Sequence, residues 1–140
     1  MTKGNQQQNH VQATAVPVER AFLVGVDTDR ATSEFELKDS LAELAQLADT
    51  AGALILGSIQ QKLEHPTPAY YIGRGKVEEL VRLKGELGFN LVIFDDELRP
   101  VQLRNLEQEL GVKVIDRTAL ILDIFSRRAH THEGRLQVEL

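Results

Sequence analysis

The feature that most constrains this chain is a repeating switch of hydrophobic period. Short apolar runs at residues 21–26, 53–56 and 91–94, and a fourth strand-like segment at 112–115, alternate with stretches where Leu, Val and Ala recur every three to four positions. A run apolar at every position reads as a strand covered on both faces, and a 3.6-residue stripe reads as a helix with one buried side. Four such strands separated by helices predict β-α-β units. The expected fold class is α/β, a four-stranded, mainly parallel sheet flanked by helices on both faces.

The punctuation between these runs agrees. Leu37, Leu41, Leu44, Ala48 and Ala51 form one helical stripe, closed by Gly52. Ser33 with Glu36 three residues on fits a capping box at its start. The strand opening at Ala53 is expected to run past Gly57, until the prolines of residues 65–68 interrupt it, because proline cannot donate to a ladder. Val77, Leu80, Val81 and Leu87 fall on a second helical face. Pro100 suits the first turn of a third helix, whose stripe is Leu103, Leu106 and Leu110 and whose stop is Gly111. Asp116 is a plausible N-cap for a last helix over residues 118–129, apolar almost all round between 119 and 125.

Composition bounds the rest. A chain of 140 residues holds one α/β core and leaves no room for a second catalytic domain. There is no cysteine, which excludes disulfides, thiolate zinc sites and cysteine nucleophiles. No apolar run reaches transmembrane length. Residues 1–18 read as a disordered polar tail, rich in Gln and Asn and without the apolar core of a secretory signal. These points together indicate a cytoplasmic protein. The net charge of −5 argues against a general nucleic-acid coat, yet leaves room for a local basic patch.

Several motifs invite chemistry. Parallel sheets form sites where strands end, and Asp27, Asp29, Ser58, Asp95, Asp96 and Asp116 are expected near such ends. Asp-x-Asp, then Ser58, Lys76 and Asp-Asp, mimics the order of a Mg²⁺-dependent phosphatase of haloacid-dehalogenase type, with Asp27 attacking phosphorus. Ala31 stands where that layout wants Thr or Val, and the carboxylates serve equally well as caps and solvated strand ends. Gly73, Gly75 and Lys76 fit an anion or nucleotide site at a helix start. The same residues also fit a tight turn. They are not a P-loop, since Tyr70 and Val77 occupy the required glycine and hydroxyl positions. Asp49-Thr50-Ala51-Gly52 matches Asp-x-x-Gly of GTPase switches, but it closes an amphipathic helix. Residues 126–135 carry three arginines against Glu133 on an otherwise acidic chain. Arg127, Arg128, His130 and Arg135 are therefore candidates for phosphate contact. No metal site is expected, since no carboxylate or cysteine clusters with His130 and His132.

Residues 71–80 (YIGRGKVEEL), 91–107 (LVIFDDELRPVQLRNLE), 114–129 (VIDRTALILDIFSRRA) and 133–140 (EGRLQVEL) are similar to motifs of the HflX family of GTPases. The resemblance covers residues 20–140. It implies an α/β N-terminal domain over residues 19–116, after the tail of 1–18. A helical segment over 117–140 would then begin a truncated coiled coil, followed in the family by a Ras-like GTPase domain. It further implies association with the large ribosomal subunit and its rRNA, and a role in translation under stress through ribosome splitting. GTP and Mg²⁺ are cofactors of the full-length family, and an adenine nucleotide has been linked to the N-terminal domain in some members. The P-loop, switches and base-reading motif are missing from this chain, so no cofactor, catalytic residue or metal ligand is carried over. Residues 135–140 alternate like a strand, whereas the resemblance makes them helical. A regulatory module paired with a separately encoded GTPase is a further expectation.

Overall fold

The computed structural model describes residues 18–28 and 34–127. Four strands, β1 (Arg20–Asp27), β2 (Leu54–Lys62), β3 (Leu91–Phe94) and β4 (Lys113–Asp116), form one sheet in the order β2-β1-β3-β4. Every neighbouring pair is parallel. The connections carry α1 (Glu34–Thr50), α2 (Arg74–Leu87) and α3 (Pro100–Leu110). A fourth helix, α4, runs from residue 117 to the last described residue, 127.

The all-apolar strands are buried on both faces, as their composition demands. From Ala21 to Asp27, β1 is buried throughout, and so is β3. Phe22, Val24, Val92, Phe94 and Val114 point to one face and meet Val77, Leu80, Leu106 and Leu110 of α2 and α3. Ala21, Leu23, Leu91 and Ile93 point to the other and meet Leu37, Leu41, Leu44 and Ala48 of α1 with Leu120 of α4. The fold is thus three layers, helix–sheet–helix. Phe22 stacks on Phe89 with ring centroids 4.9 Å apart. Fully burying one such side chain contributes about 1.5–3 kcal/mol.

The helices stop where the sequence says. Gly88 and Gly111 take left-handed φ values of 74° and 67° after α2 and α3, and each donates its N–H to the preceding turn. Only glycine takes that conformation at no steric cost. Pro100 sits in the first turn of α3. Asp116 caps α4, its Oδ1 accepting from Ala119 N–H at 2.9 Å.

Two expectations need correction. Ser58 is mid-strand, paired with Leu23, because β2 continues to Lys62. The apolar face read for α2 is too wide: Val77 and Leu80 are buried, whereas Val81 and Leu87 are 44% and 45% exposed. Lys84 takes the inward position instead, reaching Leu110 O with Nζ at 2.8 Å. Gln102, a polar residue of α3, is buried because its amide serves two backbones: Nε2 donates to Thr67 O at 2.9 Å and Oε1 accepts from Arg99 N–H at 2.8 Å. The capping box at Ser33 lies outside the described residues.

Candidate functional site at the carboxyl edge of the sheet

The strand order reverses between β1 and β3, and open α/β sheets place their crevice at the carboxyl end of that switch point. Here a cleft of about 300 Å³ opens there, lined by Asp27, Thr28, Glu36, Ser40, Asp95 and Asp96 among others. Its charge is mostly negative. Among the described residues Arg117, at the first position of α4, answers it. Nε and Nη2 of Arg117 donate to Asp95 Oδ1 at 3.0 and 2.6 Å. Nη2 also donates to Ser40 O at 2.7 Å. Ser40 Oγ donates to Asp95 Oδ2 at 2.5 Å. Asp95 is therefore a largely buried carboxylate, its side chain 9% exposed, held by α1 and α4. A cation in the first turn of a helix opposes the macrodipole, so an Arg in that place signals a specific partner. That signal stood in the sequence beside Asp116 and was missed, as was Ser40.

Asp96 has less help. Burial, then the neighbouring charge of Asp95, raises its carboxyl above the usual range, against a backbone hydrogen bond from Val26 and the charge of Arg117. Tyr71 faces the same edge. Burial, then Asp96 and Asp95, pushes its hydroxyl up to about 12. Its ring meets Phe94 edge-on, with centroids 6.4 Å apart. Tyr71 holds φ at 65°, which costs a non-glycine residue of order 1–3 kcal/mol. The surrounding loop holds it there. Thr67 and Tyr71 exchange backbone hydrogen bonds at 3.1 and 2.9 Å, and Thr67 Oγ1 donates to Ile72 O at 2.6 Å. From α3, Asn105 Nδ2 donates to Ala69 O at 3.0 Å.

The predicted anion site follows directly. Gly73 is the N-cap of α2, and its N–H donates to Gln61 Oε1 at 2.9 Å. A Cβ at Gly73 would come within 3.1 Å of that glutamine, whereas one at Gly75 would meet nothing within 4 Å. Packing thus explains Gly73 and leaves Gly75 without a fold reason. Lys76 is paired with Glu79 at 2.9 Å. The structure therefore brings Gly73, Gly75 and Lys76 together on one helix end.

The basic candidates lie elsewhere. Because α4 runs from Asp116 at the carboxyl edge, Arg127 ends at the opposite edge, where Nη1 donates to Ala51 O at 2.7 Å and Nη2 pairs with Asp123 at 3.0 Å. Arg127 thus caps the C-terminal end of α1 while remaining 56% exposed. Arg128, His130 and Arg135 lie outside the described residues. The phosphatase layout does not assemble: Ser58 is mid-strand and Lys76 does not line the cleft. Among the described residues no group of three His, Cys, Asp or Glu is placed to hold a metal.

The family model described as GTP-binding GTPase N-terminal matches residues 38–126. The chain belongs to that family. Among curated proteins it is 52% identical over 123 residues to the GTPase HflX of Alkalihalophilus pseudofirmus, covering 88% of this chain and 29% of that one. It is 45% identical over 109 residues to the GTPase HflX of Escherichia coli, covering 78% and 25%. The chain therefore spans under a third of each of these relatives. The fold recurs in the solved complex of SsGBP with GDP, 25% identical, with a TM-score of 0.59 over 87% of this chain and 33% of that one. It recurs too in a GTP-binding protein of Sulfolobus solfataricus solved with GDP, with a TM-score of 0.54 over 78% and 30%. The resemblance to HflX motifs is thereby established at the level of family, and the α/β fold with it.

Proposed function

We propose that this chain acts as an HflX-type N-terminal domain that associates with the large ribosomal subunit in the cytoplasm, contacting rRNA, and does not itself hydrolyse GTP. Family membership across residues 38–126 is the observation that carries the reading. The site geometry supports a docking role over a catalytic one. The switch-point cleft is lined by the carboxylates of Asp27, Glu36, Asp95 and Asp96, so an anionic substrate is disfavoured there. RNA contact falls instead to Arg127 with Arg128, His130 and Arg135, and an anion or nucleotide contact to Gly73, Gly75 and Lys76. Co-sedimentation with purified large subunits across a salt series tests this. Binding should fall steeply with salt, because phosphate contacts release counterions. Exchanging Arg127 and Arg128 for Ala should flatten that dependence. Pelleting that ignores both salt and these exchanges overturns the assignment.

A second reading rests on α4. Leu122 and Phe125, three residues apart on its outer side, are 64% and 60% exposed. Such a stripe suits packing against another helix. In this reading the chain is a regulatory module that works with a separately encoded GTPase, and mixing the two should raise helicity and give a complex that survives gel filtration. Co-elution no greater than with an unrelated GTPase counts against it.

A further inference from the structure

The two ends of α4 are seated by different means. At its start, Asp116 caps the helix, Arg117 binds the largely buried Asp95, and Leu120 sits in the core. Past Leu120 none of its described residues is buried. The outer end rests instead on Arg127, whose Nη1 donates to Ala51 O at 2.7 Å and whose Nη2 pairs with Asp123 at 3.0 Å. The side chains of Arg127 and Asp123 are 56% and 48% exposed, and ion pairs open to water stabilise little. One end of the helix is therefore fastened and the other lightly held.

Beneath the lightly held half lies a gap of about 240 Å³, between α4 and the amino edge of the sheet. Ala51, Ala53, Ile115 and Ala119 wall it, and Lys113 and Asp123 stand on its rim. Protein interiors are close-packed, and atoms that face a void forgo the contacts a neighbour would supply. Alanines are too short to reach across, so the gap closes only if the outer end of α4 moves toward the sheet. The rim also holds a second partner for Asp123. The side chain of Lys113 is 62% exposed and meets Glu19 only at 3.9 Å, so it is available to a carboxylate brought down beside it.

We propose that α4 is a lever with two seats, pivoting over residues 116–120. In the raised seat, the one in this structure, Arg127 holds both Ala51 O and Asp123. In the lowered seat Arg127 lets go of both, Asp123 pairs with Lys113, and the alanine-walled gap is closed. Asp123 exchanges one cation for another, which gives the helix two discrete positions rather than a continuum. An anion that takes the guanidinium of Arg127 therefore tips the helix. That coupling rests on the phosphate contact proposed above, whereas the lever itself does not.

Distances between pairs of spin labels test the proposal. The chain has no cysteine, so labels attach only where cysteine is introduced. Ser126→Cys with Glu86→Cys spans the sheet at the outer end of α4, and Thr118→Cys with Glu78→Cys spans it at the pivot. All four sites are exposed. Arg127→Ala should shorten the outer distance by about 3 Å, the width of a gap that admits water. The pivot distance and the helical circular dichroism should not change. Adding Lys113→Glu, which sets like charges at the rim, or Ala119→Leu, which fills the gap, should restore the parental distance. An outer distance unmoved by Arg127→Ala overturns the lever. So does an equal shift in both pairs, a loss of helix, or a lowering that persists with either added exchange. Bound to large ribosomal subunits at low salt, the chain with Arg127 intact should also show the short outer distance, and a long one there overturns the coupling. Failure to bind at all counts against the ribosomal reading and leaves the lever to the unbound measurements.

Discussion

Replacing Arg117 by Met removes the guanidinium that, among the described residues, pairs with Asp95. The side chain of Asp95 is 9% exposed and that of Arg117 24%. Methionine keeps the apolar stem of the arginine, so packing changes little. What is lost is the pair of hydrogen bonds to Asp95 Oδ1, the bonds to Ser40 O and Oγ, and the ion pair with Glu43 at 3.5 Å. Breaking a buried ion pair from one side costs about 3–5 kcal/mol, because the remaining charge is stranded. Arg117 is partly exposed, and Ser40 Oγ still serves Asp95 Oδ2. The lower figure of about 3 kcal/mol therefore applies, a drop of about 10 °C in Tm for a domain this size. Urea unfolding followed by circular dichroism measures it. The control is Asp95→Leu combined with Arg117→Met. With no stranded charge, the double variant should cost much less than the sum of the singles. A cost for Arg117→Met under about 1 kcal/mol, or strict additivity in the double variant, refutes the claim that this pair fastens α4 to the sheet.

Other consequences follow from the same edge. Asp116 is 6% exposed and serves both Ala119 N–H and Leu98 N–H, so Asp116→Ala should cost about 2–4 kcal/mol in urea unfolding, through a lost cap and an orphaned buried donor. The raised carboxyl of Asp96 binds its proton more tightly when folded than when unfolded. Its contribution is then complete below 3.8 and is lost as pH rises through the folded value, so Asp96→Asn should melt higher than the parent at pH 7 and a lower melting point contradicts this. With the hydroxyl of Tyr71 pushed up to about 12, tyrosinate absorbance at pH 10.5 (about half a unit past an ordinary phenol) should be the same in the parent and in Tyr71→Phe. Gly75→Ala puts a methyl in open space and should stabilise the helix by about 0.5–1 kcal/mol, while reduced ribosome binding by that variant would identify the approach that the glycine permits.

Much of the fold was legible because its periods were clean. β1 and β3 are apolar at nearly every position and are the central strands of the sheet. Leu37, Leu41, Leu44 and Ala48 repeat at helical spacing and are all buried. Gly111 follows the last Leu of its stripe and marks a stop, while Gly88, before Phe89 and Asn90, carries no such mark, and both hold positive φ. The far half of β2 was harder to bound, because Ser58, Gln60 and Gln61 on an edge strand carry no burial signal. In α2, Val81 and Leu87 stand at the two edges of a stripe whose centre is Lys84, and the inward stem of that lysine leaves them exposed. The candidate site was legible only in part. Strand-end aspartates marked the carboxyl edge, but neither Ser40 nor Arg117 announces a partner 55 or 22 residues away from it on Asp95. Charge alone marks Arg127 as a phosphate contact, whereas its bond to Ala51 O depends on how α4 lies across the sheet.

The most direct test of the central claim is to pellet the chain with purified large or small ribosomal subunits at matched concentration and low salt. The account predicts saturable co-sedimentation with the large subunit, competed by a full-length HflX such as the relative from Escherichia coli, and only background with the small subunit. Equal recovery with both subunits, or none with the large one, contradicts it.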